Sequence, residues 1–290
     1  MMLGELTVFC PAKLNIHLQV KEKRPDNFHS IESIFQTVSL YDTVRLRQVE
    51  KAGCEVFVEG MTLDSKNTLT QAYEAFSVYT GIEKGLSVSV QKIIPAGAGL
   101  GGGSSNAAAL IRSMDKLFET GLREDALLDI AAQVGSDVPF FLKGGAAIVS
   151  GRGEKIRAIK PRDDLIFVLI FPEVHSSTKE AYAQVDLEIE QGLAEKGPGV
   201  ESLEKMYYES PESWTFINSF SNIIMSQQSL VKQAFADLQE QKPLYVQMSG
   251  AGSSVFGVFL SEDFARDAYK NLSKKWKRSY ILTSSTVDCC

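Results

Sequence analysis

Apolar and polar residues alternate along residues 5–20 and again along 43–58, the period of strands with one covered face. A charged, proline-containing stretch, 21–30, reads as the loop after the first strand. Residues 67–80 repeat apolar positions at helical spacing, 86–94 read as a strand, and two more helices follow over 107–117 and 123–134. A glycine-bounded strand opens at Gly144, and Lys160-Pro-Arg-Asp-Asp reads as a junction. Beyond it come a buried strand over 165–171, a helix over 178–185 and a polar, irregular stretch over 187–214. Regular pattern then resumes with a helix at 230–238, strands at 244–250 and 255–260, a helix at 262–274 and a last strand at 280–287. This order predicts an α+β fold in two domains, 1–160 and 161–290, the second an α/β sandwich.

Composition narrows the class. The 290 residues, 44% hydrophobic and 23% charged, are enough for one large core or two ordinary ones. No apolar stretch approaches the roughly 20 residues that span a bilayer, and the start carries Glu5 without a charged leader and apolar core. The expectation is a cytoplasmic chain with no membrane partner. A net charge of −6 offers no electrostatic footprint for nucleic acid, so none is expected as a partner. The cysteines at 10, 54, 289 and 290 have no metal-ligand spacing, and all four read as thiols, Cys10 and Cys54 as small buried strand residues. Nothing in the pattern sets an oligomeric state.

Residues 95–109, Pro95-Ala-Gly-Ala-Gly-Leu-Gly-Gly-Gly-Ser-Ser-Asn-Ala-Ala-Ala, form a glycine-rich loop between a strand and a helix. Glycine lets the backbone approach an anion closely, and Ser104 and Ser105 are placed to cap the helix beside its positive N-terminus. ATP or a similar polyphosphate is the natural guest. The loop lacks the Gly-Lys-Ser/Thr ending of a Walker loop and does not fit the dinucleotide fingerprint, so it is a third kind of cradle.

Three separated segments occur in order: Pro11-Ala-Lys-Leu-Asn-Ile, the cradle, and Met248-Ser-Gly-Ala-Gly-Ser-Ser-Val-Phe-Gly. Together they resemble the GHMP kinases, over nearly the whole chain. Lys23-Arg-Pro-Asp-Asn-Phe-His, Glu32-Ser-Ile-Phe-Gln and Gly135-Ser-Asp-Val-Pro-Phe-Phe draw the resemblance toward the branch that phosphorylates the 2-hydroxyl of 4-diphosphocytidyl-2-C-methyl-D-erythritol in non-mevalonate isoprenoid synthesis. The resemblance implies an N-terminal β-α domain, a C-terminal ferredoxin-like domain and a cleft between them where ATP and substrate meet. It leaves open another GHMP kinase, of homoserine or mevalonate type, and a catalytically silent metabolite sensor on the same fold.

Phosphoryl transfer to an alcohol needs a positioned base, positive charge and a phosphate cradle. Asp137, in a Gly-Ser-Asp-Val-Pro turn, can accept the hydroxyl proton or simply form the turn; the resemblance puts the catalytic aspartate there. Lys13, between Ala12 and Leu14 on an apolar strand, is either edge-exposed or paired with a carboxylate. Such a pair near 4 Å is worth on the order of 4 kcal/mol before desolvation. The resemblance gives the lysine a role in stabilising the attacking oxygen. For ATP the expected contacts are Pro95, Gly97, Gly99, Gly101, Gly102, Gly103, Ser104 and Ser105, and the resemblance adds Asn67 and Lys92 at the adenine end. Asn67 reads equally as a helix cap, and Lys92 as a solvated strand residue. Magnesium is expected with ATP, and no carboxylate cluster names its ligands.

The substrate expected is a small molecule with a cytidine diphosphate head. Phe28 and His29 can stack on a base and bond its edge; Phe28 stands where the resembling kinases carry tyrosine. Asn15 and a second aromatic wall, Tyr182, are expected in the same region; the resemblance puts Ser249 and Gly250 in a loop that closes the cleft, a segment that otherwise reads as a hairpin turn. His17 and His175 read as structural or surface residues.

Overall fold

A computed structural model describes residues 4–285. Strand β1 (Glu5–Lys23) turns through 24–28 into the longer β2 (His29–Val49), its antiparallel partner over most of its length. The other edge of β2 is shared between two strands. Thr43–Val49 pairs with β4 (Gly85–Gln91), and Ile31–Gln36 with β5 (Ala146–Gly151). With β3 (Cys54–Val58) and β6 (Lys155–Ile159) at the ends, the order is β3-β4-β2-β5-β6, β1 lying on β2. The loop expected over 21–30 is thus confined to 24–28, and one strand begins at His29. Its first half is hard to read as a strand because Ser33, Gln36 and Thr37 are buried polar residues that interrupt the alternation.

One face of this sheet is covered by α1 (Thr68–Thr80), α2 (Gly102–Phe118), α3 (Glu124–Val134) and α4 (Val138–Lys143). Val8, Cys10, Leu18 and Val20 of β1 belong to the core on that side, with Leu110, Met114 and Phe140. Strict alternation cannot keep 8, 10, 18 and 20 together with 13 and 15. Register irregularities at Pro11/Ala12 and Asn15/His17 reset the parity, so Lys13 and Asn15 continue the helix-facing row as its polar interruption.

The second sheet, β10-β7-β9-β8, is antiparallel throughout: β7 (Ile166–Ile170), β8 (Tyr245–Met248), β9 (Val255–Phe259) and β10 (Ser279–Thr283). Phe167, Leu169, Phe256 and Val258 form one core with Leu14, Ile16, Ile34 and Ile148 of the first sheet. The alternate residues Val168, Ile170 and Val255 join the core that includes α8 (Ser229–Glu240) and α9 (Glu262–Leu272). The molecule is therefore layered helix, sheet, sheet, helix.

The stretch expected to be irregular over 187–214 is ordered instead. Helix α5 (Thr178–Glu190) runs past its expected end, and α6 (Val200–Tyr207) follows. Leu203, Tyr207 and Trp214 are buried, and the Tyr207 hydroxyl donates to Gln36 Oε1 at 2.6 Å. Few apolar residues anchor this stretch, so a pattern search passes over them. The short helices α4 and α7 (Ser221–Gln227) and strand β6 are further elements that the sequence pattern does not predict. Cys54 is half-buried, which pushes its thiol pKa up to about 12. Cys289 and Cys290 lie outside the described residues, as does the end of the last expected strand. Among the described residues no helix is long and apolar enough to cross a membrane.

Candidate active site

The cradle leaves β4 and enters α2 with Gly97, Gly99 and Gly101 at φ 66°, 77° and 70°, the left-handed region that favours glycine. Two of these positions exclude any side chain. A Cβ at Gly99 would run into the carbonyl oxygen of Ser249, and one at Gly101 would sit 2.8 Å from the Phe141 ring and 3.1 Å from Lys13 Cγ. Gly101 itself is the N-cap of α2, with no side-chain cap. Contrary to the expectation from the sequence, Ser104 and Ser105 do not cap the helix; they lie inside its first turn. Ser105 is wholly buried with an unpartnered hydroxyl, whereas Ser104 faces the cavity. That cavity, about 340 Å³, has an apolar wall of Val58, Met61 and Leu63 opposite the cradle, and Pro95, Gly102 and Gly103 also line it.

Asn67 and Lys92 both reach this cavity, but both are engaged elsewhere. Asn67 Oδ1 caps α1, accepting from the Leu69 and Thr70 amides at 3.0 and 3.1 Å. Lys92 Nζ is ion-paired with Asp42, whose buried carboxylate also accepts from the Ile93 and Ile94 amides at 2.8 and 2.9 Å and Asn106 Nδ2 at 3.1 Å. Asp42 fixes the entry to the cradle and the first turn of α2 together. Sequence reasoning missed it because a carboxylate on an alternating strand reads as a solvent-facing residue.

β1 passes directly beneath the cradle, the Lys13 amide donating to Leu100 O at 2.9 Å. The Lys13 ammonium lies 3.5 Å from Asp137 Oδ2, touches Asn15 Oδ1 and sits 4.3 Å from the centre of the Phe35 ring. Burial lowers its pKa below the ordinary lysine value, and the Asp137 charge and hydrogen bond oppose that shift. Asp137 occupies the N-cap position of α4, yet its side chain makes no cap hydrogen bond. The carboxylate is left for Lys13 and for the cleft, to which 29% of its side-chain surface is open. This cleft, about 1080 Å³, shares Gly99, Gly101 and Ser104 with the cradle cavity. Lys13 and Asp137 stand where an anion-binding loop meets a space large enough for a second molecule.

The C-terminal loop closes this junction. Ser249 Oγ accepts from the Asn15 amide at 3.2 Å and donates to Gly99 O at 2.9 Å. Its hydroxyl ties β1 to the cradle and does not line the cleft, contrary to expectation; Gly250 and Ala251 do. Asn218 Nδ2, unmarked in the sequence, steadies the loop through Met248 O and Gly250 O at 2.7 and 2.8 Å. Asn15 lines the cleft but is already bonded to Lys13 and, at 3.0 Å, to Ser33.

At the far end of the cleft Phe28 is exposed, with the Arg152 guanidinium 4.8 Å from its ring centre. The His29 ring stacks on Tyr182, centroids 4.9 Å apart and planes at 24°, and Tyr182 meets Phe220 edge-on at 4.9 Å. Tyr182 is thus not an open wall: His29 covers a face of it. His17 is buried and its pKa is pushed down to about 3, chiefly by burial, with Nδ1 accepting from the Ile217 amide at 3.2 Å. His175 is exposed beside the cradle at Gly97.

The family models for the GHMP kinases N terminal domain and the GHMP kinases C terminal match residues 67–145 and 200–278. The chain is 39% identical over 278 residues, 93% of its length and 96% of the relative's, to 4-diphosphocytidyl-2-C-methyl-D-erythritol kinase of Treponema pallidum (strain Nichols). It is 40% identical over 262 residues, 88% and 93% of the two chains, to the protein of the same name from Thermotoga maritima. A crystal structure of 4-(cytidine 5'-diphospho)-2C-methyl-D-erythritol kinase superposes with a TM-score of 0.81 at 27% identity, covering 97% of this chain and 99% of that one. The chain belongs to the GHMP kinases and, within them, to the family of the 4-diphosphocytidyl-2-C-methyl-D-erythritol kinases.

Proposed function

We propose that this protein transfers the γ-phosphoryl group of ATP to the 2-hydroxyl of 4-diphosphocytidyl-2-C-methyl-D-erythritol, releasing ADP. The observation that carries this reading is the Lys13–Asp137 pair at the meeting of cradle and cleft. Phosphates lie along the backbone of 97–105, over the N-terminus of α2, with Ser104 beside them and the adenine toward Lys92 and the apolar wall. The substrate hydroxyl approaches Asp137, which accepts its proton as the oxygen bonds to phosphorus and the bond to ADP breaks. Lys13 holds the carboxylate in place and offsets negative charge on the attacking oxygen. Phe28 and His29 take the cytidine diphosphate end, with Tyr182 backing the His29 ring and Asn15 lining the cleft beside them, and Gly250 closes the cleft behind it.

Magnesium fits as an ion carried by the nucleotide, supplying charge neutralisation at the phosphates. Among the described residues no three carboxylate, imidazole or thiol groups stand together as a cage, and such an ion keeps phosphate and water ligands. The reading places the chain in the cytoplasm, with no nucleic acid or membrane partner, and divides it at 160/161, where the first sheet ends. ADP release with purified protein and Mg-ATP tests it, comparing the cytidyl alcohol with homoserine, mevalonate and no substrate. Turnover of the cytidyl alcohol alone supports the proposal; turnover of another alcohol keeps the roles of Lys13 and Asp137 and discards the cytidine pocket.

A further inference from the structure

Tyr182 and Asp186 are four residues apart on α5, so one helix face presents a ring and a carboxylate to the same partner. That partner is His29, at the start of β2 and 157 residues from Asp186 in sequence. Tyr182 holds the face of the imidazole, and Asp186 Oδ1 meets Nε2 at 2.5 Å. A neutral imidazole has one donor and one acceptor nitrogen, while a carboxylate only accepts. In the neutral imidazole Nε2 therefore carries the proton, which leaves a lone pair on Nδ1. Among the described residues no protein group bonds to Nδ1, and it is not one of the sealed, unpartnered atoms. His29 lines the cleft, so its free acceptor is available to a ligand there.

We propose that Asp186 is a positioning residue that fixes the Nε2–H tautomer of His29 and so makes the cleft select cytosine over uracil. The inference rests on the cytidyl reading above. The two bases differ where a hydrogen-bond reader finds it easiest to tell them apart: cytosine carries a 4-amino donor, uracil a 4-carbonyl acceptor. A fixed acceptor on Nδ1 pairs with the first and faces the second lone pair to lone pair. Without Asp186 the imidazole can adopt the other tautomer, donate from Nδ1 and accommodate uracil. Leaving one such polar group unpaired in a closed site corresponds to roughly a 10- to 100-fold preference.

The test is titration of the full chain with cytidine 5′-diphosphate and uridine 5′-diphosphate, the cradle being saturated with a non-hydrolysable ATP analogue. The wild-type protein should bind the cytidine compound roughly 10- to 100-fold more tightly. Asp186→Leu and Asp186→Ala should bring the two affinities within about threefold, which is less than one net hydrogen bond. The Ala variant carries the test if the Leu variant does not fold. A heteronuclear NMR spectrum of the His29 ring should show the proton on Nε2 in the wild type and its redistribution in both variants, a readout that a merely structural tie between α5 and β2 would not move. Equal binding of the two nucleotides by the wild type, a preference that survives both substitutions, or a proton on Nδ1 in the wild type would overturn the inference. Base selection without turnover of the cytidyl alcohol would discard the kinase substrate and keep the role of Asp186; turnover with an unmoved preference would do the reverse.

Discussion

Two lysine–aspartate pairs flank the cradle, and they differ in what their carboxylates have left to give. Asp42 is completely buried, and its two oxygens accept from Lys92, two backbone amides and Asn106. Asp137 is open to the cleft, makes no cap hydrogen bond to the helix it begins, and meets Lys13 at 3.5 Å. The first carboxylate is consumed by the fold. The second is oriented by the fold yet retains the capacity to take a proton from something that is not protein. Unspent hydrogen-bonding capacity, more than the presence of an ion pair, separates the aspartate proposed to react from the structural one.

Substitution of each aspartate breaks the comparison at its two ends. Asp137→Asn should keep the fold and ATP binding while lowering kcat by about 10²–10⁴, the range for loss of a general base. ADP release at saturating substrate reads this, and near-normal turnover would remove Asp137 from the chemistry. Asp42→Ala should act on stability, by about 3–5 kcal/mol, because it strips the partner from several buried donors at once. Its signature in a urea titration would be a lower midpoint, accompanied by a raised KM for ATP and a much smaller change in kcat than Asp137→Asn produces.

His17 sharpens the same contrast from the other side, as a buried basic group on β1 that faces the charge of Lys21 instead of a carboxylate. Lys13 is buried beside an anion; His17 is held neutral, its pKa pushed down from 6.5 to about 3. A histidine with a depressed folded pKa contributes stability fully above its unfolded value and loses it as pH falls from 6.5 toward 3, where the unfolded chain binds the extra proton. The loss should reach on the order of 3 kcal/mol at pH 4. His17→Gln should flatten that part of the stability–pH curve, and an unchanged slope would show that other groups set it. The smallest effect belongs to the base end of the cleft. Phe28→Ala should raise KM for the cytidyl substrate by an amount corresponding to about 1–3 kcal/mol of stacking, with little change in KM for ATP. Equal effects on both constants would sink the stacking assignment.

Much of this arrangement was legible in the chain. The cradle was readable because glycines at left-handed φ, followed by a helix, leave a composition signature, and most strands and helices were readable from their period. The start of β2 and the 187–214 stretch were not, because Gln36 and Tyr207 bury polar atoms against each other, which breaks the pattern on both sides of the contact. Among the site residues, Lys13 and Asp137 stood out by type and neighbourhood. Ser104 and Ser105 were misassigned as caps because the helix starts earlier, at Gly102, than its apolar spacing indicates. Ser249 was misassigned because a serine in a tight loop carries no mark of the backbone it will bond.

By itself the sequence determined the local chemistry: which stretches extend or coil, where the backbone can cradle an anion, and which residue types lie in each motif. These follow from side-chain period and backbone freedom, properties of neighbours along the chain. Only the tertiary structure decided which charges meet. The register irregularities of β1 turn Lys13 toward Asp137, the stacking of two sheets brings the Ser249 loop onto Gly99, and α5 sets Asp186 against His29. Each of these joins residues far apart in sequence through packing, and packing depends on the whole folded chain.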